Sequence, residues 1–197
     1  MKFILGKKLG MSQIFDKEGK VTPVTLVEAG PCKILQVKTR DKDGYEALQV
    51  GFVEKKKKIK KTDKGKEFRY IKEQRLDGSE QYKVGDEINV AIFNEGDKVK
   101  IIGTSKGKGF QGAVKRWGFK GKLSKTHGTK HEIRTLGSTG SSIPARVIKG
   151  RKMPGRMGQD RVTINNLKIV KVDKENNLLA LKGALPGPKG ALIEIKG

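Results

Sequence analysis

The sequence predicts a mainly β protein: a small antiparallel β-barrel with a long basic, glycine-rich extension and a short basic excursion of helical or irregular structure. Three observations predict it. Short runs of aliphatic and β-branched residues are separated by Gly, Pro, Asp and Asn turn signals. Positive charge is gathered into two segments instead of being spread along the chain. One of those segments, residues 103–160, holds 12 glycines and two acids and shows little apolar periodicity. At 197 residues the chain has room for one domain, or one domain with a large insertion.

The strand candidates follow in order. Phe3-Ile4-Leu5, residues 21–27, residues 33–38 and residues 47–53 are short and aliphatic, with turn residues between them at 16–19, Gly30-Pro31 and 41–44. Residues 84–90 and 99–102 continue the series. After the extension, 162–172 and 178–182 flank the turn 173–177, and 192–195 follows Pro186-Gly187-Pro188. Asp-rich turns between such strands favour antiparallel pairing, and several strands at this spacing favour a closed barrel, with an open sandwich as the alternative. The body is thus expected over 1–102 and 161–197, with a basic excursion at 54–75 and an inserted extension at 103–160. The lysine run at 55–61 has too few apolar residues for a buried strand; a solvated face that binds nothing is its plain alternative.

The charge narrows the function. There are 44 Lys and Arg against 21 Asp and Glu, a formal net charge of +23. Residues 53–75 carry +7 and residues 103–160 carry +12, so the rest is close to neutral, like an ordinary globular protein. Such concentrated charge repels itself unless a polyanion neutralises it, which points to nucleic acid. No apolar run approaches the roughly 20 residues that a membrane helix needs, so an integral membrane protein is not expected. The opening MKFILGKKLGMSQIF has too short and too interrupted an apolar stretch for a signal peptide. The single cysteine, Cys32, excludes an intramolecular disulfide framework and suits a reducing cytoplasm; after Gly30-Pro31 and before a strand it reads as a small buried hydrophobe.

Several motifs resemble catalytic or metal sites without completing one. Gly103-Thr104-Ser105-Lys106-Gly107-Lys108 is one residue short of a phosphate loop, and Gly109 stands where Ser or Thr would hold magnesium. His127 and His131 are spaced for zinc on one helix face, but Gly128 weakens a helix there and no third ligand stands out beyond Glu132. Ser138, Ser141 and Ser142 lie in a Gly/Ser stretch without a nucleophile elbow. No enzyme, metal or cofactor is expected. Within Lys115-Arg116-Trp117-Gly118-Phe119-Lys120 the aromatics either stack on unpaired bases or, for Trp117, fill a local cluster with Val114 and Phe110; the sequence leaves both readings open.

A series of short pieces is more specific. It runs Thr104-Ser105-Lys106-Gly107-Lys108-Gly109-Phe110-Gln111-Gly112, Lys115-Arg116, His127-Gly128, Gly137-Ser138-Thr139-Gly140, Pro144, Arg146-Val147, Lys149-Gly150, Met153-Pro154-Gly155 and Gly158. Then come Val162-Thr163, Asn166-Leu167, Val172-Asp173, Asn177-Leu178-Leu179 and Pro186-Gly187. In order and spacing these closely resemble the bacterial-type ribosomal protein L-three family of the large subunit, as does the opening Gly6-Lys7-Lys8-Leu9-Gly10-Met11-Ser12-Gln13, and the resemblance covers essentially the whole chain. It implies a translation-protein-type β-barrel whose extension penetrates large-subunit ribosomal RNA, binding early in assembly near the 3′ region of that RNA. It further implies that the extension approaches and supports the peptidyl-transferase region without catalysing peptide transfer. The fourteenth and nineteenth large-subunit proteins are the neighbours it implies, with no membrane and no small-molecule substrate. The chain departs from the family at Ile133-Arg134, where many members have His-Arg, and at Leu136, where proline is common. Ser141-Ser142-Ile143 lacks the glutamine that is methylated in some members, so that modification is not expected.

The expected phosphate contacts are Lys106, Lys108, Lys115, Arg116, Lys120, Lys122, Lys125, Lys130, Arg134, Arg146, Lys149, Arg151, Lys152 and Arg156. Phe110, Trp117, His127 and His131 are expected to stack on or hydrogen-bond the RNA, and Gly107, Gly109, Gly137 and Gly140 to admit close backbone approach. Two other classes compete with this reading: a general nucleic-acid chaperone with no fixed place, and an RNA-processing enzyme using His127 or His131 as acid–base groups.

Overall fold

The computed structural model describes residues 2–16, 18–55, 59–63, 65–76, 82–124, 126–130 and 132–197. Its elements are β1 (Phe3–Phe15), β2 (Val21–Ala29), β3 (Cys32–Lys38), α1 (Arg40–Asp43), β4 (Ala47–Glu54), β5 (Phe68–Arg75), β6 (Glu87–Ile88) and β7 (Lys98–Thr104). They continue with β8 (Phe110–Gln111), α2 (Ala113–Trp117), β9 (Gly155–Arg156), β10 (Arg161–Asp173), β11 (Leu178–Lys182) and β12 (Leu192–Lys196). The protein is mainly β, and the chain divides into two compact units, Met1–Thr104 with Arg161–Gly197, and Ser105–Asp160.

In the first unit six antiparallel strands form a closed barrel in the order β1-β12-β7-β10-β11-β2. Ring closure runs through Phe3↔Lys196 between β1 and β12 and through Gly6↔Ala29 between β1 and β2. Three successive residues, Phe3, Ile4 and Leu5, are buried, as are Leu179, Ala180 and Leu181. Since successive side chains of a strand point to opposite faces, both faces are covered there, which is why apolar runs and not alternation mark these strands. The barrel packs tightly at Gly6, where a Cβ would stand 2.6 Å from Val27 Cγ1. The β10–β11 turn is local chemistry: Asp173 Oδ1 accepts from the backbone N–H groups of Glu175 and Asn176, each at 3.1 Å.

The structure differs from the sequence expectation in three places. Residues 33–38 and 47–53 do not enter the barrel; they lie in β3 and β4 of a separate four-stranded sheet, ordered β5-β4-β3-β6. The ring is complete without them, because β2 already has β1 and β11 as neighbours. The second half of the basic excursion is not helical or irregular but strand β5, paired with β4 from Ala47↔Arg75 to Glu54↔Phe68. Its charges are tolerated because β5 is an edge strand, while Tyr70 stacks on Phe52 at 6.4 Å between centroids. The lysines 56–58 and 64 of that excursion lie outside the described residues. Finally, residues 84–90 supply only the two-residue β6, paired with β3, followed by a 3-10 turn at Val90–Ile92.

One apolar cluster runs through the barrel and the second sheet, joining Ile4, Leu5, Val27, Ile101, Leu179, Ile193 and Ile195 to Cys32, Ile34, Val50 and Phe52. Cys32 is fully buried, its Sγ 3.5 Å from the Leu5 carbonyl oxygen, and burial pushes its thiol up to about 12. Lys2 Nζ pairs with Asp97 Oδ2 at 2.6 Å, and the Asn94 backbone N–H donates to the same oxygen at 3.1 Å. Those contacts, the lysine first, hold the Asp97 carboxyl below its ordinary range.

Two outcomes follow for the first unit. Cys32 should resist a thiol reagent at pH 8 in the native protein and react fully in denaturant, so stoichiometric labelling without denaturant would contradict its burial. Because the folded pKa of Asp97 is depressed, its contribution to stability is present above the unfolded carboxylate range near pH 4 and is lost as pH falls through the folded value. Urea unfolding of Asp97→Asn from pH 6 to pH 2.5 should therefore show a flatter acid limb than wild type.

Candidate nucleic-acid interface

The second unit, Ser105–Asp160, is built on two arms that run antiparallel. The Ser105 N–H donates to the Asp160 carbonyl at 2.9 Å, and Asp160 N–H donates to Ser105 Oγ at 3.1 Å. Further along, Lys108 N–H donates to Met157 O at 2.9 Å and Met157 N–H to Gly109 O at 3.0 Å. Strands β8 and β9 then pair Phe110 with Arg156 and Gln111 with Gly155. The arms approach so closely that a Cβ at Gly158, whose φ is +78°, would collide with the Lys106 carbonyl oxygen.

Beyond the arms, α2 makes a single turn that ends at Gly118 in the left-handed region. It delivers Arg116 Nη1 and Trp117 Nε1 to one acceptor, the Met153 carbonyl, each at 2.9 Å. The Arg116 guanidinium lies 4.8 Å from the Trp117 ring centroid and Lys152 Nζ lies 5.8 Å from it. Trp117 is thus anchored through its N–H to a carbonyl and through its ring to two cations, while remaining 43% exposed, and Phe110 is 77% exposed.

The remaining chain is a series of turns. Thr129, buried, donates from Oγ1 to Thr126 O at 2.7 Å, and Thr135 Oγ1 donates to Glu132 O at 2.8 Å. At Gly121, φ +72°, a Cβ would strike the Ile133 carbonyl, so backbone crosses backbone there. Residues 139–153 curve round an open cavity of about 550 Å³, lined by Ser141, Ile143, Arg146, Val147, Ile148 and Arg151 among others.

Among the described residues of this unit only Ala113 and Thr129 are buried. The unit carries 14 basic residues against two acids. One acid, Asp160, sits at the root; the other, Glu132, is paired with Lys122. Thus Lys122 is partly neutralised inside the protein, a partner that its sequence position did not reveal. Lys106, Lys108, Lys115, Lys120, Lys130, Arg134, Arg146, Lys149, Arg151, Lys152, Arg156 and His127 are exposed, and Arg116 is half-buried. Arg151 donates to the Thr139 carbonyl and Arg156 to Gln159 Oε1. Lys125 and His131 lie outside the described residues. At Gly107, Gly109, Gly137 and Gly140 a Cβ would meet nothing within 4 Å, so no part of the described chain occupies that space. Sequence reading missed Met153 and Gln159, which position Arg116, Trp117 and Arg156; the pointer to Met153 was Pro154, which holds the preceding residue extended.

The comparisons with known proteins agree with one another. A family model described as "Ribosomal protein L3" matches residues 73–179, a stretch that includes the whole second unit. The chain is similar to the large ribosomal subunit protein uL3 of Thermosipho africanus, 52% identical over 100% of this chain and 98% of that protein. It is similar to the uL3 of Pelotomaculum thermopropionicum at 50% identity, over 99% of this chain and 96% of that one. The uL3 of Carboxydothermus hydrogenoformans is 51% identical over the same shares. With the family model matching more than half of the chain, and relatives at this identity over nearly its whole length, the chain belongs to the bacterial-type ribosomal protein L3 family.

Proposed function

We propose that this protein is a structural component of the large ribosomal subunit in the bacterial cytoplasm, where it binds large-subunit ribosomal RNA and catalyses nothing. The observation that carries the reading is the second unit: a net charge of +12 with one buried apolar side chain, Ala113, among its described residues. A segment of that kind gains little from hydrophobic burial and much from phosphate neutralisation. In this reading the barrel body docks on the RNA surface while residues 103–160 thread inward as an extension. That division, the body being 1–102 with 161–197, is part of the proposal.

The basic residues of the extension hold phosphate, and the open glycines, Gly107 first among them, let RNA backbone come against protein backbone. Lys125 and His131 keep the roles given to them by sequence. Family membership supports early binding near the 3′ region of the RNA, an approach to the peptidyl-transferase region, and the fourteenth and nineteenth large-subunit proteins as neighbours. No small-molecule substrate, metal or cofactor has a part in it.

Competition binding at physiological salt should show preference for a fragment from the 3′ region of large-subunit ribosomal RNA over excess unrelated structured RNA. A variant with residues 106–156 replaced by a short Gly/Ser linker should lose most of that preference. Equal displacement by unrelated RNA would leave only charge-driven binding, and the chaperone reading would replace this one. The two kinds of glycine give a finer outcome. Gly107→Ala should leave the protease pattern of the free protein unchanged yet weaken RNA binding by about 3- to 30-fold, the loss of one or two close contacts. Gly158→Ala should instead open the 105–160 segment to protease in the free protein, because the strain and collision there cost about 1–3 kcal/mol or more.

A further inference from the structure

The ribbon made by β8 and β9 has two faces, and the described residues cover them unequally. Residues opposite each other in an antiparallel pair place their side chains on the same face. Gln111 lies opposite Gly155, and Phe110 lies opposite Arg156. On the Gly155 face, the place of a Cβ is taken by Arg116 Nη1, part of the cluster that secures Trp117 to Met153. That face is therefore closed by the protein's own side chains.

The other face is open. Phe110 stands 77% exposed, far more than a structural aromatic needs to be. Beside it Arg156, also exposed, is held by a hydrogen bond from Nη2 to Gln159 Oε1. Arg116, whose guanidinium lies over the Trp117 ring, fills the Gly155 side and so belongs to the closed face. On the chain leading to Phe110, no described atom comes within 4 Å of the sites of the missing Cβ atoms at Gly107 and Gly109, and Lys106 and Lys108 beside them are exposed.

We propose that Phe110 and Arg156 form a platform for one unpaired nucleotide, its base stacked on the Phe110 ring and its phosphate held by the Arg156 guanidinium. The proposal rests on the RNA-binding reading above and deepens it by naming the kind of RNA element recognised. Stacking on a side chain needs a base with a free π-face, which a duplex buries and a loop or bulge exposes. A guanidinium carries five N–H donors in a fixed fork. The Gln159 contact orients that fork through one amino group and leaves the rest for phosphate oxygens. The surrounding net charge of +12 matches a nucleotide and would repel a basic protein partner.

The test uses the full-length chain with two probes: a transcript of the 3′ region of large-subunit ribosomal RNA, and a perfect RNA duplex of equal length. Phe110→Leu should weaken binding to the transcript on the order of 5- to 100-fold, the loss from removing one base–aromatic stack, with the salt dependence unchanged. Phe110→Trp should restore it, and binding to the duplex should not change. Arg156→Gln should weaken binding and flatten the log–log salt slope by about 0.7–0.9. Wild-type affinity of Phe110→Leu for the transcript, an equal loss on the duplex, or failure of Phe110→Trp to rescue would each overturn the platform. If the wild-type chain bound unrelated looped RNA as well as the ribosomal transcript, the ribosomal reading would fall. A loop-specific loss in Phe110→Leu would still support the platform in that case.

Discussion

The pairing of β7 with β10 is the contact on which the rest depends. Thr104 and Arg161 are cross-strand partners, and Gly103 faces Val162 on the next rung. Both strands are central members of the closed ring, β7 between β12 and β10 and β10 between β7 and β11. The 56 residues from Ser105 to Asp160 therefore leave the barrel and return to it at adjacent positions. Closing a chain segment of that length costs entropy that its own interior, with Ala113 and Thr129 as its buried residues among those described, is poorly equipped to offset. The barrel meets that cost once, through ladder hydrogen bonds and the cluster around Ile101, Ile193 and Ile195. A large insertion with little core is possible because its two ends are already fixed.

Within the insertion, hydrogen bonds and backbone crossings replace burial. Carbonyls serve as anchors: Met153 for Arg116 and Trp117, Thr139 for Arg151, Glu132 for Thr135. These contacts use backbone acceptors, and acidic side chains are almost absent from the unit, so most of its cations are not matched by an internal carboxylate. Glycine serves two purposes that look alike in sequence. At Gly121 and Gly158 any side chain would strike a carbonyl, whereas no described atom stands within 4 Å of the Cβ site at Gly107, Gly109, Gly137 or Gly140, the last three of which also have the positive φ that favours glycine. The first kind admits close crossing of the chain over itself, and the second leaves space beside the backbone unfilled by the described residues.

The four-stranded sheet shows where sequence reading loses its grip. A run such as Cys32-Lys33-Ile34-Leu35-Gln36-Val37-Lys38 is legible as a strand because β-branched and aliphatic residues crowd between turn signals. Which sheet it joins is decided by whether β2 already has two neighbours, and nothing local to residues 32–38 encodes that. The charged strand β5 was hidden for a related reason. Phe68-Arg69-Tyr70-Ile71-Lys72-Glu73-Gln74-Arg75 has the charge density of a solvated helix or loop. It is held extended by β4 beside it and by the stack of Tyr70 on Phe52, a residue far away in sequence.

The sequence by itself determined the mainly β character, the concentration of positive charge in two segments, the burial of Cys32 and the family. Each of these is written in local composition, or in the order and spacing of short motifs, and survives without knowledge of neighbours in space. Only the tertiary structure decided that the strands separate into a six-stranded ring and a second sheet, and that Lys122 is matched by Glu132. It alone decided that Trp117 is committed to Met153 while Phe110 is left open beside Arg156. The physical reason is common to all of these. Pairing partners, acceptors and the space beside a missing Cβ come from residues ten or more positions away, and a one-dimensional pattern carries no term for them.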